Sequence, residues 1–242
     1  MSKPILLLPV AGKADRFKAV GINTPKPMIE VCGKPIIEWA LSSIADLDTY
    51  SIIFMCQKRE CDEYGLDLEL VGKFGSDIKI IMIDKMTGGA LETCTFASDI
   101  INNHEPLVIY TPDAMFIPPF DIRRVPPYCA GWLPLYPSIK ASCSYAKIHG
   151  NEVIGVAEKK VISPYATTGL YYFREGCDFL NHAMNMIACD DRTNGEFYIA
   201  PLYNRIIESG QYVGYEMVHT VDVLGTPEEV RDFERKRNQE PN

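Results

Sequence analysis

The sequence has 242 residues, of which 47% are hydrophobic and 23% charged, and we predict one globular domain spanning residues 1–242. Its net charge of −8 argues against nucleic acid as a partner, because phosphate backbones are held mainly by clustered Lys and Arg. The apolar run near the start is too short for a signal peptide, and no apolar stretch approaches the roughly 20 residues that cross a bilayer, so we expect a cytoplasmic protein without membrane insertion.

Several chemistries find no support in the sequence. The eight cysteines are dispersed without a CxxC pair, which indicates reduced thiols. The four histidines are not spaced as zinc ligands, so no zinc site is expected. The sequence also contains neither a GxSxG nor a GxxxxGK[ST] motif, which argues against a serine hydrolase and a P-loop enzyme.

In the first half of the chain, apolar runs alternate with helical segments, which is typical of an α/β fold. A first helix begins at Pro35 and places Ile36, Ile37, Ala40, Leu41 and Ile44 on one face. The predicted strands are 5–10, 50–56, 77–83 and 107–110. We predict a Rossmann-like, mixed and mostly parallel sheet flanked by helices.

From residue 89 onward the pattern is less regular. Residues 89–101 predict a helix, and beyond residue 115 repeated prolines are expected to interrupt any long element. We therefore predict an acceptor lobe inserted at roughly 115–200. Further predicted strands are 141–148 and 165–173, further predicted helices are 177–188 and 200–209, and the charged tail from Glu234 is expected to fray.

Two segments near the start carry candidate phosphate-binding groups. Residues Ala11, Gly12, Lys13 and Ala14 form a turn at the carboxyl end of the first strand, where open α/β sheets bind ligands and where successive N–H groups wrap a phosphate. By itself this pattern also fits a plain turn. Further on, Lys26 stands between two prolines, which restrict the backbone around it.

Together these segments resemble a known family. The strings AGKADRF and TPKPMIEVCGKPIIEWAL are similar to the N-terminal signature of the sugar-phosphate nucleotidylyltransferases (nucleotide-sugar pyrophosphorylases) and related phosphocholine cytidylyltransferases. The resemblance implies that Arg16 contacts the outer phosphates of a nucleoside triphosphate and that Lys26 lies near the α-phosphate and the acceptor phosphate. It departs at Ala14, where the family usually has a glycine that tolerates positive φ more easily.

The resemblance continues through the nucleotide and metal segments. Thr87, Gly88 and Gly89 match the segment whose glycines let the backbone approach the nucleobase. Asp113 matches the aspartate that holds Mg²⁺ between the nucleotide phosphates, although an Asp after a strand is usually a turn residue. The Asp222 of VDVLGTP is similar to a second metal ligand, but it stands three positions before the Gly-Thr-Pro instead of two.

For the acceptor, the resemblance implies that Glu158 binds acceptor hydroxyls and that Lys159 binds the acceptor phosphate, with Gly169 on the strand beneath them. Glu196 resembles a further acceptor contact. The implied reaction transfers a nucleoside monophosphate from CTP, UTP or dTTP to a phosphorylated small metabolite, with a sugar-1-phosphate preferred, and releases pyrophosphate. The product would be an activated precursor of a surface polysaccharide or glycoconjugate.

Three alternatives stay open at this point. The acceptor could be a non-sugar phosphate such as phosphocholine or a phosphorylated amino-acid derivative. A glycosyltransferase of related fold would carry an Asp-x-Asp motif after the fourth strand, where this chain has Asp113-Ala114-Met115. A catalytically dead nucleotide sensor is the third. Neither the base of the nucleotide nor a homo-oligomeric state follows from the sequence.

Overall fold

The structure is a computed structural model that describes residues 3–12 and 14–239. The strands are β1 (Ile5–Pro9), β2 (Glu30–Val31), β3 (Lys34–Pro35), β4 (Ser51–Gln57), β5 (Lys79–Ile83), β6 (Leu107–Tyr110), β7 (Ala114–Ile117), β8 (Gly131–Pro137), β9 (Ser144–His149), β10 (Glu152–Glu158), β11 (Tyr165–Thr167), β12 (Leu170–Phe173), β13 (Val213–Met217) and β14 (Thr220–Val223).

The helices are α1 (Asp15–Lys18), α2 (Ile36–Leu41), α3 (Lys58–Tyr64), α4 (Leu66–Phe74), α5 (Ala90–Thr95), α6 (Ser98–Ile101), α7 (Gly176–Ala188), α8 (Leu202–Glu208) and α9 (Pro227–Gln239). Short 3-10 turns occupy Lys26–Met28, Leu47–Thr49 and Ile122–Arg124. The apolar runs predicted as strands near residues 5, 50, 77 and 107 correspond to β1, β4, β5 and β6.

The main sheet has the strand order β10-β9-β11-β8-β12-β6-β1-β4-β5, with β13 beside β8. β1 is parallel to both β4 and β6, whereas β12 runs antiparallel to β6. Small two-stranded sheets join β2 to β3 and β7 to β14. The predicted α/β fold with a mixed sheet is therefore confirmed. Because the chain leaves β1 toward β4 and later returns to its other side as β6, a ligand crevice is expected where the loops after β1 and β6 meet.

The sheet is buried on both faces, which explains the uninterrupted apolar sequence of β1. Leu7 packs in a core cluster that also contains residues of α5, α7 and α8. Its neighbours Leu6 and Leu8 point the other way, into a second cluster with residues of α2 and α4. All three leucines are fully buried. Alternate residues of one strand thus belong to two cores, as expected of a doubly covered sheet.

The expectation that prolines interrupt every long element after residue 115 is wrong at β8, which contains Pro134. β8 pairs with β12 at Gly131 and Trp132 and with β11 at residues 135–137. Pro134 falls between these two pairings, where the opposite chain is interrupted at residues 168–169. The missing N–H of proline therefore leaves no ladder bond unmade on this side.

Some predicted boundaries are also corrected. The helix predicted over 89–101 is two helices, α5 and α6, and the strand predicted over 165–173 is divided into β11 and β12. The tail does not fray at Glu234, because α9 continues to Gln239. It is held by Phe233, whose ring centroid lies 5.1 Å from that of Trp39, and by the Arg237 guanidinium, 5.0 Å from the Trp39 ring.

Among residues 3–12 and 14–239, no helix combines the length and apolarity needed to cross a membrane. The single domain with an inserted lobe at 115–200 stays a prediction.

Candidate active site

The loop after β1 turns through a left-handed residue. Ala14 has φ 53° and ψ 30°, a conformation that an L side chain adopts at a cost of about 1 kcal/mol and that glycine adopts freely. Alanine therefore occupies the backbone conformation that a glycine would suit, and the turn is retained. Gln57, at the carboxyl end of β4, donates from Nε2 to the Ala11 carbonyl over 2.7 Å and anchors the loop. Arg16 is exposed on α1, while the predicted site residue Lys13 lies outside the described residues.

Lys26 and Asp113, which are 87 residues apart in the sequence, are in direct contact. Lys26 Nζ lies 2.5 Å from Asp113 Oδ1. The lysine side chain is 18% exposed and that of Asp113 is 55% exposed, so the ion pair is partly accessible to solvent. The structure thus brings together two of the three predicted catalytic residues beside the carboxyl ends of β1 and β6.

The glycine segment before α5 is joined to the loop that precedes α8. Phe197 N–H donates to the Gly88 carbonyl over 2.8 Å, and Leu91 N–H donates to the Phe197 carbonyl over 3.1 Å. A Cβ placed on Gly89 would lie 2.4 Å from the Phe197 oxygen, so glycine is required by the close backbone approach. Two segments that the sequence assigns to nucleobase and acceptor are therefore one structural unit.

Thr87 contributes side-chain contacts within this unit. Its hydroxyl lies 2.7 Å from that of Thr93, and Gly88 N–H donates to Glu92 Oε2 over 2.5 Å. The backbone N–H of Gly88 is thus already satisfied within the protein. This arrangement fixes the loop at the carboxyl end of β5, on the same edge of the sheet as Asp113.

Glu158 ends β10 as a largely buried carboxylate. It accepts a short hydrogen bond from the Ser144 hydroxyl across the β9–β10 pair. Burial raises the pKa of Glu158 above its usual range, while the Ser144 hydrogen bond and the Lys159 charge oppose the shift. The site therefore offers a carboxyl group that retains its proton to a higher pH than a solvated glutamate.

Lys159 follows in a left-handed conformation, with φ 51°. Its ammonium donates a short hydrogen bond to the Tyr198 hydroxyl and lies 4.5 Å from the centroid of the Tyr198 ring. Burial lowers the pKa of Lys159, but the bond to Tyr198 and the charges of Glu196 and Glu158 outweigh it, so the pKa is raised. The lysine is therefore charged in the neutral pH range.

Glu196 and Tyr198 reach this position through a tight turn. Asn194 and Gly195 both have positive φ, and the N–H groups of Thr193 and Glu196 each donate to the other's carbonyl. Two central residues with positive φ are typical of a type I′ turn. The turn explains why an Asn-Gly pair precedes Glu196.

Gly169 connects the acceptor strands to the loop that carries Asp113. It has φ 86°, and a Cβ placed on it would lie 2.7 Å from Thr111 Oγ1. Thr111 donates to the Gly169 carbonyl from both its N–H, over 3.0 Å, and its hydroxyl, over 3.1 Å. The absence of a side chain at Gly169 thus allows its backbone to pack closely against Thr111.

Asp222, the predicted second metal ligand, is buried and forms an ion pair with a lysine of α9. It is 8% exposed, and its Oδ1 accepts from Lys236 Nζ on α9 over 2.5 Å. Along β14 side chains alternate between faces, so the adjacent Val223 occupies the opposite face. A Cβ placed on Gly225 would lie 3.9 Å from both Val223 Cγ1 and Asp113 Oδ2.

Glu229, which the sequence analysis did not single out, approaches the same glycine as Asp113. The same Cβ on Gly225 would be 3.3 Å from Glu229 Oε2. Lys140 Nζ lies 3.6 Å from Glu229 Oε1. Other neighbours of the site that sequence reasoning missed are Gln57, Ser144 and Tyr198. Of these, only Gln57 had a usable signal, because it ends a parallel strand at the ligand-binding edge.

The chain resembles known proteins in sequence and in fold. Residues 3–123 match the nucleotidyl transferase family. The crystal structure of a nucleoside-diphosphate-sugar pyrophosphorylase from Vibrio cholerae RC9 is 26% identical, with a TM-score of 0.84 over 96% of this chain and 100% of that chain. Comparison with curated proteins gives no significant match.

Two more distant structures share the fold. A protein of Bacillus anthracis assigned as a glucose-1-phosphate thymidylyltransferase is 20% identical, with a TM-score of 0.75 over 98% of this chain and 96% of that chain. The inositol-1-phosphate CTP transferase of T. maritima is 11% identical, with a TM-score of 0.74 over 100% and 99%. At these identities the likeness concerns the fold alone.

Proposed function

Because this chain belongs to the nucleotidyl transferase family, we propose that it transfers the nucleoside monophosphate of CTP, UTP or dTTP to a sugar-1-phosphate and releases pyrophosphate. The observation that carries the proposal is the contact between Lys26 and Asp113 beside the loop that follows β1. A cation and a carboxylate converge there on the edge of the sheet where a triphosphate would bind. The product would be a nucleotide-sugar, an activated precursor for a surface polysaccharide or glycoconjugate.

The chemistry requires positioning more than covalent help. An oxygen of the acceptor phosphate forms a bond to the α-phosphorus, while the bond from that phosphorus to the bridging oxygen of pyrophosphate breaks. The Lys26 ammonium would neutralise charge on the α-phosphate. Arg16 and the loop at Ala11, Gly12, Lys13 and Ala14 would hold the outer phosphates, and Thr87, Gly88 and Gly89 the base.

The acceptor would bind between Glu158, Lys159, Gly169 and Glu196. Lys159 is a charged group fixed by Tyr198 and suits an acceptor phosphate. Glu158 is held by Ser144 and offers oxygen atoms to hydroxyl groups of a sugar. The combination of a fixed cation and a buried carboxyl group favours a hydroxylated acceptor over phosphocholine, which has no hydroxyl groups to pair with Glu158.

A divalent cation fits the carboxylates on this side of the site. Asp113 is half exposed, and its Oδ2 borders Gly225 together with Glu229 Oε2. Hard oxygen donors of this kind suit Mg²⁺, which when bound neutralises charge on the nucleotide phosphates. Asp113 is the proposed first ligand. The second carboxylate is Asp222 by sequence position, or Glu229 because it approaches Gly225 as Asp113 does.

The test is pyrophosphate release from each of four nucleoside triphosphates, ATP, CTP, UTP and dTTP, combined with sugar-1-phosphates, phosphocholine and phosphorylated amino-acid analogues. We expect release only with a pyrimidine nucleotide and a sugar-1-phosphate. K26A and D113N should each lower the rate by about 10² or more, the scale of a lost preorganised electrostatic group. The controls K79A and D99N change an exposed lysine of β5 and an exposed aspartate of α6, and should keep normal rates.

Near-normal turnover in K26A or D113N would overturn the assignment of these residues. Pyrophosphate release with phosphocholine, but with none of the sugar-1-phosphates tested, would indicate a non-sugar acceptor. Nucleotide binding without release for any pair would instead indicate a sensor.

A further inference from the structure

The described residues contain one group of three metal-ligating side chains outside the candidate active site. His104 follows α6 and precedes β6, whereas Glu175 and Cys177 lie at the start of α7. Their ligand atoms all lie within 4.8 Å of one another. No sequence pattern indicates this group, because the histidine is more than 70 residues from its two partners.

We propose that His104, Glu175 and Cys177 form a binding site for a zinc-like divalent cation that prefers nitrogen and sulfur ligands. An imidazole, a thiolate and a carboxylate are the three ligand types that tetrahedral Zn²⁺ takes in proteins, and the fourth position would be left to water. This proposal is independent of the nucleotidyl transfer proposed above. It goes beyond that reaction, which needs a hard cation bound by oxygen atoms.

Two of the three separations between the ligand atoms are close to this geometry. Cys177 Sγ lies 3.7 Å from His104 Nδ1 and 3.6 Å from Glu175 Oε2. Ligand atoms of a tetrahedral zinc ion are about 3.3–3.6 Å apart, given bond lengths near 2.0 Å to nitrogen and oxygen and 2.3 Å to sulfur. Only the distance from His104 Nδ1 to Glu175 Oε2, 2.6 Å, has to open.

The backbone under the site is held in place. Cys177 N–H donates to the Asn103 carbonyl over 2.9 Å, and Gly176 N–H donates to the Glu105 carbonyl over 3.0 Å. A Cβ placed on Gly176 would lie 2.1 Å from the Ile101 carbonyl oxygen, so the two segments are in close contact. The backbone that carries Glu175 and Cys177 is thus held against the segment that carries His104. This lowers the entropic cost of ordering the three side chains around an ion.

The proposed zinc site is open to ions in solution and lies away from the proposed triphosphate site. The His104 side chain is 85% exposed and that of Glu175 is 28% exposed. His104 precedes the amino end of β6, while Asp113 follows its carboxyl end. A bound ion would therefore fasten the loop before β6 to the start of α7 without displacing the ion of the transfer reaction. We expect a bound ion to raise the stability of the folded protein.

The experiment titrates the whole purified protein, stripped of metal, with Co²⁺ in the presence of excess Mg²⁺. Mg²⁺ saturates oxygen sites, so that Co²⁺ reports on the sulfur site. We expect one equivalent of Co²⁺ to give intense visible bands of tetrahedral cobalt together with a thiolate charge-transfer band, and Zn²⁺ to displace it. Zn²⁺ should also raise the thermal unfolding midpoint.

Three variants test the ligands. C177S should abolish the charge-transfer band, and C177S and H104Q should each weaken Zn²⁺ binding by at least about 100-fold. H104Q changes a side chain that is almost fully exposed, so loss of binding in it does not reflect misfolding. C189S, which changes an exposed cysteine at the end of α7, is the matched control and should behave as wild type.

The proposal is overturned if the wild-type protein gives no charge-transfer band, or if C177S and H104Q bind Zn²⁺ as tightly as wild type. It is also overturned if C189S removes the band. Pyrophosphate release measured in H104Q should stay at the wild-type rate, which separates failure of this site from failure of the proposed reaction.

Discussion

At the scale of single residues, Glu158 gives the site a dependence on pH. Burial raises the pKa of its carboxyl group, so in the folded protein Glu158 keeps a proton that a solvated glutamate has already lost. The groups that face it are Ser144, Lys159, Glu196 and Tyr171. Because the folded state binds more protons than the unfolded state, stability falls as pH rises from the usual glutamate pKa through the raised one.

We expect the E158Q variant not to show this loss of stability with rising pH. The free energy of unfolding of E158Q, relative to wild type, should increase as pH rises across that window and then stay constant above it. Urea unfolding at a series of pH values measures the difference. E208Q, which changes an exposed glutamate at the end of α8, should run parallel to wild type. Parallel curves for E158Q and wild type would contradict the raised pKa.

The sequence indicated those site residues whose role follows from the chain order of a motif. Lys26 and Asp113 were chosen on that basis, and the structure brings them into contact. Tyr198 and Glu229 were missed, because their place in the site depends on which distant side chain they meet. Ala14 shows a third case. The turn requires a left-handed φ at this residue. The sequence showed only that alanine stands where the family usually has glycine.

At the scale of elements, buried parallel strands were the easiest to predict, because burial on both faces requires a continuous apolar run. β6 was predicted over the same four residues that the structure assigns. β8 was not, since its prolines normally exclude a central strand. The exception depends on the interruption between β11 and β12, which lies more than thirty residues away and follows from no local pattern.

The pair formed by β14 and α9 separates two candidates for the second metal ligand. Asp222 is buried and paired with Lys236, whereas Glu229 and Asp113 both approach Gly225. If Glu229 is the ligand, E229Q should raise the Mg²⁺ concentration needed for half-maximal pyrophosphate release by about tenfold or more. D222N should leave that concentration unchanged and lower the free energy of unfolding by about 1–3 kcal/mol, because a charge-assisted hydrogen bond is lost.

The two measurements are made on both variants, with Mg²⁺ titrated in the pyrophosphate assay and stability followed by urea unfolding. E228Q, one position before Glu229 and exposed on the same helix, is the matched control. A raised Mg²⁺ requirement in D222N together with a normal requirement in E229Q would assign the role to Asp222, as the sequence position suggests.

At the scale of the whole molecule, the candidate site is assembled from loops that are far apart in the chain. The loop after β1, the glycine segment before α5 and the turn before α8 all lie along one edge of the main sheet, whose two faces carry the apolar cores. A nucleotide that contacts several of these loops binds the folded state only. It should therefore stabilise the molecule as a whole, by an amount that grows with the logarithm of its concentration over its dissociation constant.

With Mg²⁺ present, the correct nucleoside triphosphate at about 100 times its dissociation constant should add about 2.7 kcal/mol to the free energy of unfolding. For a chain of this size that corresponds to a rise of about 5–10 °C in the thermal unfolding midpoint. Midpoints measured with each of the four nucleotides identify the base, because only the one that fits beside Gly88 and Gly89 binds tightly. K26A should show a smaller rise at the same concentration, since its ammonium no longer meets the phosphates, whereas the exposed-lysine control K79A should match wild type. Equal rises for K26A and wild type would place the triphosphate away from Lys26, and with it the reaction away from the Lys26–Asp113 pair.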